Sequence, residues 1–110
     1  RLINKRKMLK FLKSILGLGP KVNYKELMLK GAQIIDVRTS GEFKAGHIQG
    51  SVNIPLQILS SNLSKIKKDR PVITCCASGN RSGMAKTILL KSGFAEVYNG
   101  GGWSSLNHKI

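Results

Sequence analysis

The chain has 110 residues, of which 19 are Lys or Arg and five are Asp or Glu, for a formal net charge of +14. With 41% hydrophobic residues it can bury the core of one compact domain but not of two. No apolar run reaches the roughly 18–20 residues that cross a bilayer, no low-complexity tail gathers the charge, and the only two cysteines are the adjacent Cys75 and Cys76, which argues against a membrane-spanning, disordered or disulfide-scaffold protein and for a reducing, cytoplasmic setting.

Six basic residues fall within the first 13 positions with no acid among them, so residues 1–20 read as a basic extension, with residues 1–7 preceding the natural start at Met8. Leu9, Leu12, Ile15 and Leu16 recur at helical spacing until Gly17–Pro20 ends the pattern. A terminal helix packed on the domain is favoured over one resting on an anionic membrane. From residue 21 to residue 110 the texture is that of a single α/β domain, short apolar runs alternating with helical patterns. Residues 25–30 read as a short helix stopped by Gly31, and Gln33–Val37 as a buried strand. Ser40 with Glu42 and Phe43 reads as a short capped helix closed by Gly46, and Val52 and Ile54 as a brief strand before Pro55. Residues 56–66 are loosely helical, and the basic run Lys65, Lys67, Lys68 and Arg70 reads as a solvated loop. Nucleic-acid binding is not favoured, because no aromatic residue interleaves with that run. A third strand spans Val72–Cys75, followed by a helix with Met84, Ala85, Ile88 and Leu89 on its core face, Lys91 in its last turn and Gly93 just beyond it. Glu96–Tyr98 is a final strand before Gly100–Trp103.

The chemistry concentrates after the third strand, in Cys76-Ala77-Ser78-Gly79-Asn80-Arg81-Ser82. A cysteine at the carboxyl end of a parallel strand, then a polar loop and a helix N-terminus, is an arrangement that binds anions. The N–H groups of Ala77 to Ser82 can converge as a nest, and Gly79 permits positive φ. A helix opening near Ser82 contributes its dipole, and Arg81 a guanidinium suited to an oxyanion. Together they are expected to move the Cys76 thiol from about 8.5 into the activated range of roughly 3.5–7.5. Strand alternation puts Cys75 on the other face, where it reads as a buried core residue.

These residues resemble the active-site loop of single-domain rhodaneses, and Asp36-Val37-Arg38, Glu42-Phe43, Gly46-His47-Ile48, Gly50-Ser51 and Asn53-Ile54-Pro55 resemble that family's upstream signature, the likeness covering residues 22–103. The resemblance implies a three-layer α/β/α domain around a mostly parallel five-stranded sheet. It also implies a sulfurtransferase whose Cys76 takes sulfur from thiosulfate or a related anionic donor as a persulfide, and yields it to cyanide, a thiol or a protein acceptor, with Ala77 to Ser82 binding the substrate and no cofactor or metal. The family often has an aromatic residue where this chain has Cys75, and a Trp several residues beyond a Gly pair, where Trp103 follows three glycines directly. Two other readings stay open. One is a persulfide carrier with slow turnover. The other is a cysteine phosphatase, since counting from Cys75 instead of Cys76 turns C-x4-R into C-x5-R. The remaining polar residues read structurally: His47 and His108 lack a second ligand at metal spacing, buried Asp36 needs Arg38 or backbone N–H groups, Arg38 and Glu42 read as a local ion pair, and Trp103 as wall packing.

Overall fold

The computed structural model describes residues 21–110; the basic extension and the helical pattern over residues 9–16 lie outside the described residues. Helix α1, Tyr24–Leu29, starts where the Asn23 side chain accepts the Glu26 N–H at 3.0 Å. Strand β1, Gln33–Asp36, leads to α2, Ser40–Ala45, whose cap is Thr39 rather than Ser40. The Thr39 hydroxyl and the Glu42 carboxylate bond each other's backbone N–H reciprocally, so the Thr-x-x-Glu spacing is a capping box. After β2, Val52–Asn53, residues 56–66 form two 3-10 turns, Leu56–Ser61 and Leu63–Lys65. Strand β3, Val72–Cys76, runs one residue further than its apolar pattern suggests and delivers α3, Asn80–Lys91. Strand β4, Val97–Gly102, then passes directly into α4, Trp103–Asn107.

The sheet has the order β2-β1-β3-β4, with every pairing parallel. This corrects the expectation of five strands to four among the described residues. Residues 21–32 carry a single β-branched residue, Val22, and are committed to α1, so they supply no further strand. Parallel strands buried on both faces send alternate residues to different cores. Ile35, Val37, Val72, Cys76 and Val97 pack with Leu59 and with Ala85 and Leu89 of α3. Ile34, Ile73 and Cys75 pack on the opposite face with Leu27 of α1 and Leu106 of α4. The result is the expected three layers. The basic run from Lys65 to Arg70 is exposed, apart from the intervening Ile66.

Helix α3 docks through Ser82, Ala85 and Leu89, spaced three and four apart. Met84, read from the sequence as part of that face, is instead 59% exposed, because it lies about 100° around the helix from Ala85. The two positions should respond differently to truncation. Leu89→Ala should cost about 2–5 kcal/mol of stability in denaturant unfolding, while Met84→Ala should change it by less than about 0.5 kcal/mol.

Candidate active site

The carboxyl end of β3 and the loop that follows put Cys76 beneath a ring of hydrogen-bond donors. Gly79 N–H points at its Sγ from 2.9 Å and Ser82 N–H from 3.3 Å, and the Ser82 Oγ lies 3.3 Å from the same sulfur. The loop can fold this tightly because Gly79, the residue that caps α3, has φ 108°. α3 therefore begins at Asn80, ahead of the expected start near Ser82, and the N–H groups of its cap residue Gly79 and of Ser82 in its first turn are aimed at the sulfur. Gly102 permits the same crowding from the other side: a Cβ there would sit 2.8 Å from the Ala77 carbonyl oxygen. The glycine run, expected to follow the last strand, is instead part of strand β4 closing against this loop.

Burial opposes ionisation of Cys76, but the Ser82 hydroxyl and the backbone N–H groups of Ser82, Gly79 and Ser78 outweigh it and hold the thiol below its ordinary value. Cys75, one residue away and fully buried on the opposite face, has its thiol pushed up to about 12, chiefly by burial and then by the Asp36 charge. Backbone alternation thus gives two adjacent thiols opposite properties. In Cys75→Ser protein the rate of iodoacetamide alkylation should rise with pH and level off with a midpoint below the ordinary thiol value of about 8.5. A midpoint at or above that value would contradict the donor ring.

The ion pairs differ from the expected arrangement. Arg38 does not pair with the Glu42 carboxylate four residues on. Its Nε and terminal nitrogen donate to buried Asp36 at 3.0 and 2.7 Å, and its backbone N–H donates to the same carboxylate. The guanidinium also donates to the carbonyls of Gly46, at 2.7 Å, and Glu42, at 3.3 Å, and lies 4.8 Å from the Trp103 ring. Trp103 is therefore wall packing, with a cation on its face. The Glu42 carboxylate instead takes Arg81 in a two-pronged pair at 2.7 and 3.0 Å, and this contact together with the Thr39 N–H draws the Glu42 carboxyl down to about 2. Arg81, expected to offer its fork to a substrate anion, commits that fork to Glu42. Because Glu42 is depressed, its contribution to the folded state is complete above the ordinary carboxylate range and fades as pH falls toward 2.

Ser82 also donates to Asn99 Oδ1 at 2.7 Å, and Asn99 Nδ2 donates to the Gly79 carbonyl at 3.2 Å. Asn99 does not stand out in the sequence. A lone asparagine ahead of a glycine run carries no signal, and only the register that sets it opposite Thr74 brings it to the loop. His47 bonds the Phe43 carbonyl and stacks on the Phe43 ring, and no cluster of metal-ligating side chains occurs among the described residues.

If Arg81 acts by holding the loop through Glu42, Arg81→Ala and Glu42→Gln should reduce turnover alike, by on the order of ten- to a hundred-fold. A Glu42→Gln enzyme more active than wild type would mean that freeing Arg81 helps, and would return Arg81 to direct substrate binding.

The sequence pattern described as rhodanese-like domain matches residues 20–109. The chain is 45% identical over 80 residues to uncharacterized protein YqhL of Bacillus subtilis (strain 168), a match covering 72% of this chain and 64% of that protein, so it spans a little less than two thirds of that relative. It is 32% identical over 75 residues to thiosulfate sulfurtransferase GlpE of Pseudomonas aeruginosa, covering 68% of each. Among solved structures, a rhodanese with anions from E. coli superposes with a TM-score of 0.63 at 35% identity, over 66% of this chain and 88% of that one.

Proposed function

The chain belongs to the rhodanese-like domain family, and from that premise we propose that it is a sulfurtransferase that carries sulfur on Cys76. The observation that carries the reading is the Cys76 sulfur facing the Gly79 and Ser82 N–H groups at the carboxyl end of β3. The thiolate attacks the outer sulfur of thiosulfate or a related sulfane donor. The donor's S–S bond breaks, sulfite leaves with the bonding electron pair, and a Cys76 persulfide anion remains. Cyanide or an acceptor thiolate, small or protein-borne, then attacks the terminal sulfur and displaces Cys76 as the thiolate, so no net oxidation occurs and no cofactor takes part. A sulfur that is already ionised needs no general base, and the loop's N–H donors from Ala77 through Ser82 suit both the incoming anion and the sulfite that departs.

The environment of Cys75 speaks against the longer C-x5-R register. A thiol held up to about 12 and fully buried is a poor nucleophile, and the donors face its neighbour. Two free thiols side by side suit a reducing compartment, and we assign the protein to the cytoplasm on that ground. Among the described residues no helix is long and apolar enough to cross a membrane.

Intact-protein mass spectrometry after brief exposure of the reduced protein to thiosulfate tests the proposal. Wild type and Cys75→Ser should each gain about 32 Da, one sulfur atom, and Cys76→Ser should gain none. A gain that follows Cys75 instead would overturn the assignment, and so would its absence from all three proteins.

A further inference from the structure

The Ser82 hydroxyl sits between two groups that compete for its single proton. It is fully buried, with the Cys76 sulfur at 3.3 Å on one side and Asn99 Oδ1 at 2.7 Å on the other. The orientation of the Asn99 amide is fixed by two backbone groups that cannot exchange roles. Gly101 N–H donates to Oδ1 at 3.0 Å, and Nδ2 donates to the Gly79 carbonyl at 3.2 Å. The oxygen must therefore face Ser82, and it can only accept. When Cys76 carries a proton, a complete chain forms: the thiol donates to Ser82 Oγ, and the Ser82 hydroxyl donates to Asn99. When Cys76 is ionised, the sulfur can no longer donate, and two electron-rich atoms would be left facing each other unless the hydroxyl rotates onto the sulfur.

We propose that Asn99 is a positioning residue that sets the protonation balance of Cys76 by competing with its sulfur for the Ser82 hydroxyl proton. Asn99 favours the thiol, because only in that state does its oxygen keep the Ser82 hydrogen bond. In the thiolate state it retains the Gly101 N–H alone. Ser82 keeps its own proton in both states; the proton that leaves Cys76 goes to solvent, and only the direction of the hydroxyl changes. Once sulfur has been transferred, the negative charge moves outward to the terminal sulfur and the hydroxyl can return to Asn99. When the acceptor attacks and Cys76 leaves as thiolate, the hydroxyl swings back to meet it.

The register makes this arrangement. Thr74 pairs with Asn99 but Cys76 with Gly102, so β4 carries one residue more than β3 over this stretch. That bulge lets the Asn99 amide and the Gly101 N–H meet beside the loop while Gly102 packs under Ala77. The other ionisable groups near Cys76 are already engaged. Asp36, at the end of β1, is paired with Arg38 just beyond it, Glu42 with Arg81 across α2 and α3, and Cys75 is held as the thiol. On β4, Glu96 accepts from the Tyr98 hydroxyl, and the turn Leu56–Ser61 carries no ionisable side chain.

The inference rests on Cys76 being the reactive sulfur, and its test is independent of sulfur transfer. The pH midpoint of iodoacetamide alkylation is measured in the Cys75→Ser background, with folding checked by thermal unfolding. Asn99→Ala, and Asn99→Val as a second variant suited to a strand, should each lower the midpoint by about half to one pH unit, the shift that one net hydrogen bond supports. Ser82→Ala should raise it, and adding Asn99→Ala to Ser82→Ala should give no fall. An amide that merely props the loop through the Gly79 carbonyl would act in the opposite direction, since a loosened donor ring raises the midpoint. An unchanged or raised midpoint in the Asn99 variants would therefore overturn the proposal. Failure of the wild type to gain sulfur from thiosulfate, with the midpoint shifts intact, would instead count against the sulfurtransferase reading alone.

Discussion

The carboxylate of Asp36 has no access to water, so its charge must be met where it stands, and the active end of the domain is arranged around that requirement. Arg38 returns two residues along the chain to neutralise it, then directs its remaining donors to the carbonyls of Gly46 and Glu42 and lays its flat face beside Trp103. One guanidinium thereby fastens the end of β1 to the middle and the carboxyl end of α2 and to the first residue of α4. Fixing α2 also fixes Glu42, which reaches across to Arg81 in the first turn of α3. Two ion pairs in series thus run from the centre of the sheet to the loop over Cys76. The buried Asp36–Arg38 pair adds little over an apolar replacement, yet removing one of its partners costs about 3–5 kcal/mol, whereas the part-exposed Glu42–Arg81 pair is screened by solvent. Their value here is geometric.

That geometry changes which groups are left to meet the anionic donor proposed for this site. A chain with formal charge +14 is expected to attract anions through its side chains, but the two arginines nearest the candidate nucleophile are each bound to a carboxylate. Under the proposed function, local recognition falls to backbone N–H groups fixed by Gly79 and the start of α3, which need no reorganisation when charge develops. For the proposed anionic donor, the surplus of lysines elsewhere acts at longer range, raising the encounter rate at low ionic strength.

Cys75 and Cys76 show how far backbone alternation alone can divide two identical side chains. One enters the core between the sheet and α1 and α4, with no donor to its sulfur among the described residues and a carboxylate nearby. The other enters the opposite side, where a helix terminus begins. Neither property belongs to the residue type. Each follows from the face of β3 on which the side chain falls.

Much of this architecture is legible in the order of residues along the chain. The β-branched runs at residues 33–37 and 72–75 announce buried parallel strands, the break after Cys76 announces the loop, and Gly79 permits the positive φ found there; all are local effects of backbone sterics and apolar periodicity, which neighbouring residues express directly. Strand alternation likewise assigns Cys75 and Cys76 to different faces. The pairing of charges is not legible, because Glu42 has Arg38 one helical turn away and only the packing of α2 against α3 offers it Arg81 instead. Nor is the full extent of β4, whose glycines stand beyond the expected strand until the close approach of the Ala77 carbonyl explains why no side chain fits at Gly102. Asn99 stands at the far end of that scale. Its amide matters only because a one-residue bulge between β3 and β4 aims it at Ser82, and a contact between residues 17 apart leaves no trace in the local pattern of either. Sequence alone determined that Cys76 ends a buried strand ahead of a glycine-bearing loop and a helix; tertiary packing decided which side chains share a proton or a charge there, because those partnerships depend on distances that only the assembled sheet defines.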